Sequence, residues 1–150
     1  MKDVMSGLDL RAIASELQVM VGAHCRKCYQ PHYEQVVLRL RTKEGGNSDL
    51  VLVRGKRIYT SKRDRPMPQS PAPFAMVLRK SLSNARLRVV EQIGYDRILK
   101  FVFEKPFGMF HIYVEVFRDG NIILTDGDDV IIQPLTHKSY ADRVLKKGIV

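Results

Sequence analysis

EQIGYDRILKFVF, residues 91–103, decides how this chain folds. Gly94 breaks a strand-like run, and beyond it Leu99, Phe101 and Phe103 alternate as the buried face of a strand does. A strand on each side of a glycine turn reads as a hairpin, which makes the sheet antiparallel. Asp96 and Arg97 stand side by side at the mouth of that hairpin, where Asn-Gly would turn the chain more easily. A surface ion pair is worth little to stability. The placement therefore asks for a reason from the rest of the sequence.

Downstream, the segments FHIYVEVF, IILT and VIIQPL continue as strands separated by the turns KPFG, RDGN and DGDD. The pairs Asp119-Gly120 and Asp126-Gly127 are strong hairpin signals within this meander. Upstream, LDLRAIASELQVMVG predicts a helix with Asp9 as N-cap, a stripe of Leu10, Ile13, Leu17 and Met20, and Gly22 as its stop. Strands follow in HCRKCYQ, in EQVVLRLRT (Val36, Leu38 and Leu40 on one face), and in LVLV and IYTS around the tight turn RGKR. Four of the seven prolines fall in PMPQSPAP, residues 66–73, so a connector spans 62–73 and Pro71 or Pro73 opens a second helix through FAMVLRKSL. The class is α+β, mainly antiparallel β, with a helix before each β-rich half. Residues 1–135 form one domain, and 136–150 read as a basic tail or the start of a linker.

The 150 residues are 45% hydrophobic and 27% charged, which is a globular composition. A net charge of +9 favours a polyanionic partner, with RNA or DNA ahead of an anionic membrane. No run approaches the ~20 apolar residues of a membrane span. Asp3, Asp9, Arg11 and Glu16 are unlike a signal peptide, so the expected location is cytoplasmic, with reduced cysteines.

Catalytic patterns are missing: the sequence holds no G-x-S-x-G and no H-E-x-x-H, and Gly55-Lys56 lacks the rest of a P-loop. The four histidines are scattered. Cys25 and Cys28 form a C-x-x-C flanked by His24 and His32, but structural zinc usually takes a second ligand pair, and the segment reads as a strand. The thiols are expected to pack, and no metal or cofactor is expected. Basic residues cluster better. Arg54, Lys56, Arg57, Lys62, Arg63 and Arg65 face a single acid, Asp64, and such cations suit phosphate contacts. Arg79 and Lys80 of the second helix join them as candidates. A solvated basic loop is the plain alternative for any one of these. Tyr59 and Phe74 are placed to stack on bases or to fill the core.

Four stretches, LDLRAIASEL, PFAMVLRKSL, EQIGYDRILKF and VEVFRDGNIILTD, occur in an order and spacing that closely resemble the N-terminal domain of the NFACT family. That family includes ribosome quality-control proteins, the nuclear export mediator factor and proteins labelled fibronectin-binding protein A. The resemblance covers about residues 6–135. It implies a fold like the N-terminal domain of formamidopyrimidine-DNA glycosylases, with two packed antiparallel sheets and accompanying helices. It also implies a non-enzymatic module that binds tRNA and the large ribosomal subunit carrying peptidyl-tRNA, and that recruits charged tRNA for template-free tailing of stalled chains. The family's Asp-Arg motif falls on Asp96 and Arg97, and its aspartate at the first helix falls on Asp9.

Three departures stand beside the resemblance. Family members continue into a helix-hairpin-helix region, a coiled coil and a further domain, whereas this sequence stops at Val150. The chain begins MKDV, without the Pro-Glu start that supplies the glycosylase nucleophile. The cysteines occupy positions that are usually aliphatic. A glycosylase-like repair domain and an adhesin-type fibronectin-binding module are the alternatives.

Overall fold

A reciprocal pair of hydrogen bonds at Ser6 starts the first helix. The computed structural model describes residues 6–42, 46–61, 72–94, 97–117 and 120–136, with the backbone alone of 139–140 and 143–144. Helix α1 (Gly7–Glu16) runs into a 3-10 turn (Leu17–Met20). The expected N-cap, Asp9, lies three residues further in. Ser6 is the cap, its Oγ accepting from Asp9 N at 3.0 Å while Asp9 Oδ2 accepts from Ser6 N at 3.0 Å. This S-x-x-D capping box satisfies two donors that a helix start leaves open. Leu10, Leu17 and Met20 are buried with Ile13 packed beside them, so the expected apolar stripe faces the core.

The strands are β1 (His24–His32), β2 (Gln35–Arg41), β3 (Asn47–Val53), β4 (Arg57–Ser61), β5 (Arg86–Gln92), β6 (Ile98–Lys105), β7 (Gly108–Glu115), β8 (Ile122–Asp126) and β9 (Ile131–Pro134). Helix α2 (Pro73–Leu82) precedes β5, with Pro73 in its first turn. Most of the expected proline connector, 62–71, lies outside the described residues. Two packed sheets were the expectation. Instead one nine-stranded antiparallel sheet forms, in the order β4-β3-β2-β1-β5-β6-β7-β8-β9.

The halves are joined by a narrow seam. His24 pairs with Arg86, flanked by Gly22 N to Leu87 O at 2.7 Å and Cys25 N to Ala85 O at 2.8 Å. Beyond His24 the two strands part and the sheet folds over on itself. Leu38, Leu52 and Ile58 of one half then share a core with Phe101, Phe103 and Leu124 of the other. Leu99, Phe101 and Phe103 are fully buried, as their alternation required, and such burial contributes roughly 1.5–3 kcal/mol per side chain. Helix α2 packs along β1, with Phe74, Leu78 and Leu82 in the core and Arg79 Nε donating to Cys28 O at 2.8 Å.

In the stretch read as an unpatterned tail, β10 (Ser139–Tyr140) pairs with β11 (Arg143–Val144). No helix among the described residues is long and apolar enough to cross a membrane.

The β7–β8 turn is sterically tight at Gly120. A Cβ there would collide with the Glu115 carbonyl oxygen and lie 2.7 Å from the Phe117 carbonyl oxygen, both of them backbone atoms. Gly120→Ala is therefore expected to lower unfolding free energy by about 1–3 kcal/mol, read by denaturant melting against wild type.

Candidate nucleic-acid interface

Strands β1 and β5 run antiparallel at the seam, but because the sheet folds over, the turns that follow β1, β3, β5 and β7 come together. Gly55 N in the β3–β4 turn donates to Glu115 O at 2.8 Å, and Val116 N donates to Arg97 O at 2.8 Å. Arg54 N reaches Glu34 O in the β1–β2 turn at 3.0 Å, and Arg54 Nη1 reaches Gly120 O at 2.8 Å. The start of α1 joins them, because Gln92 Nε2 at the end of β5 donates to Gly7 O at 3.3 Å. The rim is thus made of four turns and one helix start, drawn from positions far apart in sequence.

The fold brings the α1 aspartate and the β5–β6 turn to this same rim. Asp9 is half-buried and engaged in the capping box. Asp96 lies outside the described residues. Arg97 is half-buried, its carbonyl is bound, and its guanidinium has no side-chain partner among the described residues.

The expected phosphate contacts divide. Arg54 is spent on structure, its side chain only 12% exposed and lying between Gly120 O and Glu34 (Nη2 to Oε2 3.8 Å). Lys56 is 46% exposed at 3.9 Å from Glu34, and Arg57 is exposed. Lys62, Arg63 and Arg65 lie outside the described residues. Arg79 sits against β1, bonded to Cys28 O and 5.2 Å over the Tyr29 ring, rather than at the rim, and Lys80 is exposed on α2. Phe74 is core, and Tyr59 packs against a small cluster of Tyr29, Val37 and Val51.

One rim residue escaped sequence reasoning. Tyr33 is 69% exposed in the β1–β2 turn, its ring 4.3 Å from that of His32. His32 lines a cavity of about 230 Å³ with Lys56, Arg57 and Tyr59. Exposed aromatic rings beside cations suit base stacking together with phosphate contact. The only sequence signal was an aromatic inside PHYE, a segment with no strand period.

Two further clusters are structural in character. Cys25 Sγ and Cys28 Sγ are 3.6 Å apart and both buried. The hydrogen bond between Cys28 and Cys25, followed by burial, pushes the Cys28 thiol well above its usual range, which disfavours the reactive thiolate. Among the described residues no group of three or more His, Cys, Asp or Glu is placed to hold a metal. At the β8–β9 turn, Asp129 Oδ1 accepts from Tyr113 OH at 2.6 Å and lies 2.8 Å from His111 Nδ1. Burial pushes the Asp129 carboxyl up, but the hydrogen bonds from Tyr113 and His111 outweigh it and hold the group below its ordinary value. Burial, followed by the bond to Asp129, pushes the Tyr113 phenol well above its ordinary range.

Fold and rim together define a small basic α+β domain, a folded antiparallel sheet that gathers its cation-bearing turns at one end. The profile of the family described as NFACT N-terminal and middle domains matches residues 6–149, and the chain belongs to this family. The archaeal Rqc2 homolog aRqcH of Methanocaldococcus jannaschii is 35% identical over 148 residues, which are 95% of this chain and 22% of that protein. The ribosome quality control complex subunit NEMF of Homo sapiens is 34% identical over 140 residues, 93% of this chain and 13% of that protein. The chain therefore spans less than a quarter of these curated relatives. Among solved structures, the N-terminal part of the fibronectin/fibrinogen-binding protein of Streptococcus suis superposes with a TM-score of 0.87 at 26% identity, over 97% of this chain and 59% of that one.

Two outcomes follow from these side chains. Because the folded Asp129 carboxyl titrates below the 3.8 of a free one, its stabilising contribution is complete above that pH and is lost as pH falls through the lowered value. Asp129→Asn should be less stable than wild type at neutral pH, with a gap that narrows in melts below about pH 4. For the cysteines, metal analysis of the purified protein should find no stoichiometric zinc, and a chelator should leave Tm unchanged. One zinc per chain would sink the packing role.

Proposed function

We propose that this domain is a non-enzymatic, cytoplasmic module that binds tRNA and the large ribosomal subunit carrying peptidyl-tRNA. In that role it recruits charged tRNA for template-free tailing of stalled nascent chains. The observation that carries the reading is Arg97, a half-buried guanidinium without a side-chain partner among the described residues, at a rim shared with the exposed Lys56 and Arg57. An Arg can fork onto a phosphate or a base edge, and a neighbouring carboxylate such as Asp96 can accept from a base amino group or a 2′-hydroxyl. The names of the relatives support the ribosomal setting: several are ribosome quality control complex subunits. The glycosylase-like fold belongs to the same proposal as an architectural likeness, without base excision.

Removing the Arg97 side chain leaves its backbone bond to Val116 in place. Arg97→Ala is therefore expected to stay within about 1 kcal/mol of wild type in folding. Its tRNA affinity should fall by roughly 1–3 kcal/mol, as loss of one charge-assisted contact does. Asp9→Ala is a poorer probe, because it also breaks the helix cap at a cost of about 0.5–2 kcal/mol. Melting curves and tRNA titration on the same Arg97→Ala protein test the reading. Wild-type tRNA affinity in that variant would falsify the recruitment role. The likeness to a fibronectin/fibrinogen-binding protein supports an adhesin reading, and saturable binding of fibronectin together with no binding of tRNA would favour it.

A further inference from the structure

We propose that the crevice at the seam between the two halves of the sheet is a second phosphate site, whose ligand is the backbone of an RNA. The choice of RNA rests on the tRNA-binding reading above, whereas the site itself rests on the register of three strands. His24 at the start of β1 is paired on one side with Arg41 of β2 and on the other with Arg86 of β5. Residues directly opposite one another in a sheet project from the same face, with Cβ atoms about 4.5–5.5 Å apart. Arg41, His24 and Arg86 therefore form one row across three adjacent strands. Arg88 joins them in lining a cavity of about 490 Å³, which lies within the range of ligand sites.

The row concentrates positive charge. Arg41 and Arg86 stand on either side of His24, and their like charges repel across it, although Arg86 also has Glu104 of β6 opposite it. Among the described residues that line the cavity none is an acid. Arg88 has Glu104 at 3.7 Å, but Arg41 and Arg86 are exposed and have no side-chain partner among the described residues. An anion seated between them removes the repulsion and gains charge-assisted hydrogen bonds. The geometry of the seam makes the concavity. Gly22 turns with φ of +99°, and beyond His24 strands β1 and β5 diverge. A lining so rich in guanidinium groups selects phosphate over an apolar ligand.

The site is distinct from the rim. Strand β5 begins at Arg86 and ends at Gln92, so its seven residues separate the two by about 20 Å at ~3.3 Å per residue. Helix α1 and its 3-10 turn run beside β5 from one site to the other, with Gly7 against Gln92 and Gly22 against Leu87.

The test is the double variant Arg41→Glu with Arg86→Glu, with Arg41→Gln and Arg86→Gln as a second variant that removes charge without reversing it. The Gln variant should fold as well as wild type, because the exposed guanidinium groups hold no side-chain partner among the described residues, whereas Arg86→Glu faces Glu104 and should cost a little stability, so melting curves accompany both variants. Affinity for tRNA should fall about tenfold or more in the Glu variant, and the slope of log affinity against log salt should become shallower by about one to two. A mixed-sequence RNA oligonucleotide should show the same loss, because phosphate contacts do not read sequence. Unchanged tRNA and oligonucleotide binding in both folded variants overturns the site. If Arg97→Ala still weakens tRNA binding in that case, the tRNA reading stands without it. If wild type binds no tRNA, that reading fails, and the oligonucleotide alone decides the crevice: loss in the double variants supports it, and no binding overturns it. Inorganic pyrophosphate separates the two sources of phosphate. Pyrophosphate binding that the double variant abolishes, with RNA binding intact, assigns the crevice to a free anion and overturns the RNA proposal.

Discussion

One peptide group at the end of β7, between Glu115 and Val116, closes the folded sheet. The Glu115 carbonyl takes the Gly55 N–H from one half, and the Val116 N–H goes to the Arg97 carbonyl in the other. Beneath them Glu115 and Asn121, 3% and 0% exposed, form a polar brace, with Glu115 Oε1 accepting from Asn121 N and Asn121 Oδ1 accepting from Ile122 N and Thr136 N. An unsatisfied buried polar group costs about 1–3 kcal/mol, so a satisfied network of this kind admits one arrangement and penalises neighbouring ones. The two glycines at the contact follow from it. Gly55 turns at a φ of +70°, where an added Cβ would lie 3.2 Å from the Phe117 carbonyl oxygen, and Gly120 fits only because it has no Cβ. The position of every turn at the rim depends on this closure.

The excess of positive charge is distributed unevenly over the domain. Arg39 makes a two-pronged contact with Asp49 at 2.9 and 3.1 Å, Arg54 spans two turns, and Arg79 bonds the β1 backbone over the Tyr29 ring. These guanidinium groups are part of the architecture, where a planar fork serves better than an ammonium. Lys56, Arg57, Arg41 and Arg86 are exposed at the two ends of the sheet instead. A net charge of +9 thus says less about binding than the division between cations that hold the fold and cations that face outward.

Much of the secondary structure was legible because period and turn chemistry are local. Leu99, Phe101 and Phe103 identified a half-buried strand, and Pro73 marked the start of α2. The helix cap was misplaced by three residues because Asp9 was weighed alone, without Ser6 at the spacing of a capping box. The single folded sheet was not legible, since its seam joins residues 24 and 86 mainly through backbone atoms, which carry no sequence signature. The same limit applies to the site. Arg54 and Arg57 are equivalent in a charge run, and only Glu34 and Gly120, brought in from other turns, bury one and leave the other exposed. The row at His24 was invisible because it exists only across three strands.

Arg97 and Asp9 are held at the rim in different ways. The Arg97 backbone carbonyl is held by the Val116 N–H, a bond that does not involve the side chain. A half-buried cation gives up part of its hydration and here gains no neighbouring acid among the described residues in return. An anion seated beside it would offset that cost. Asp9 differs, because its carboxylate also holds the first turn of α1. Substitution of Arg97 therefore leaves the backbone bonds of the rim in place, whereas substitution of Asp9 also breaks the helix cap.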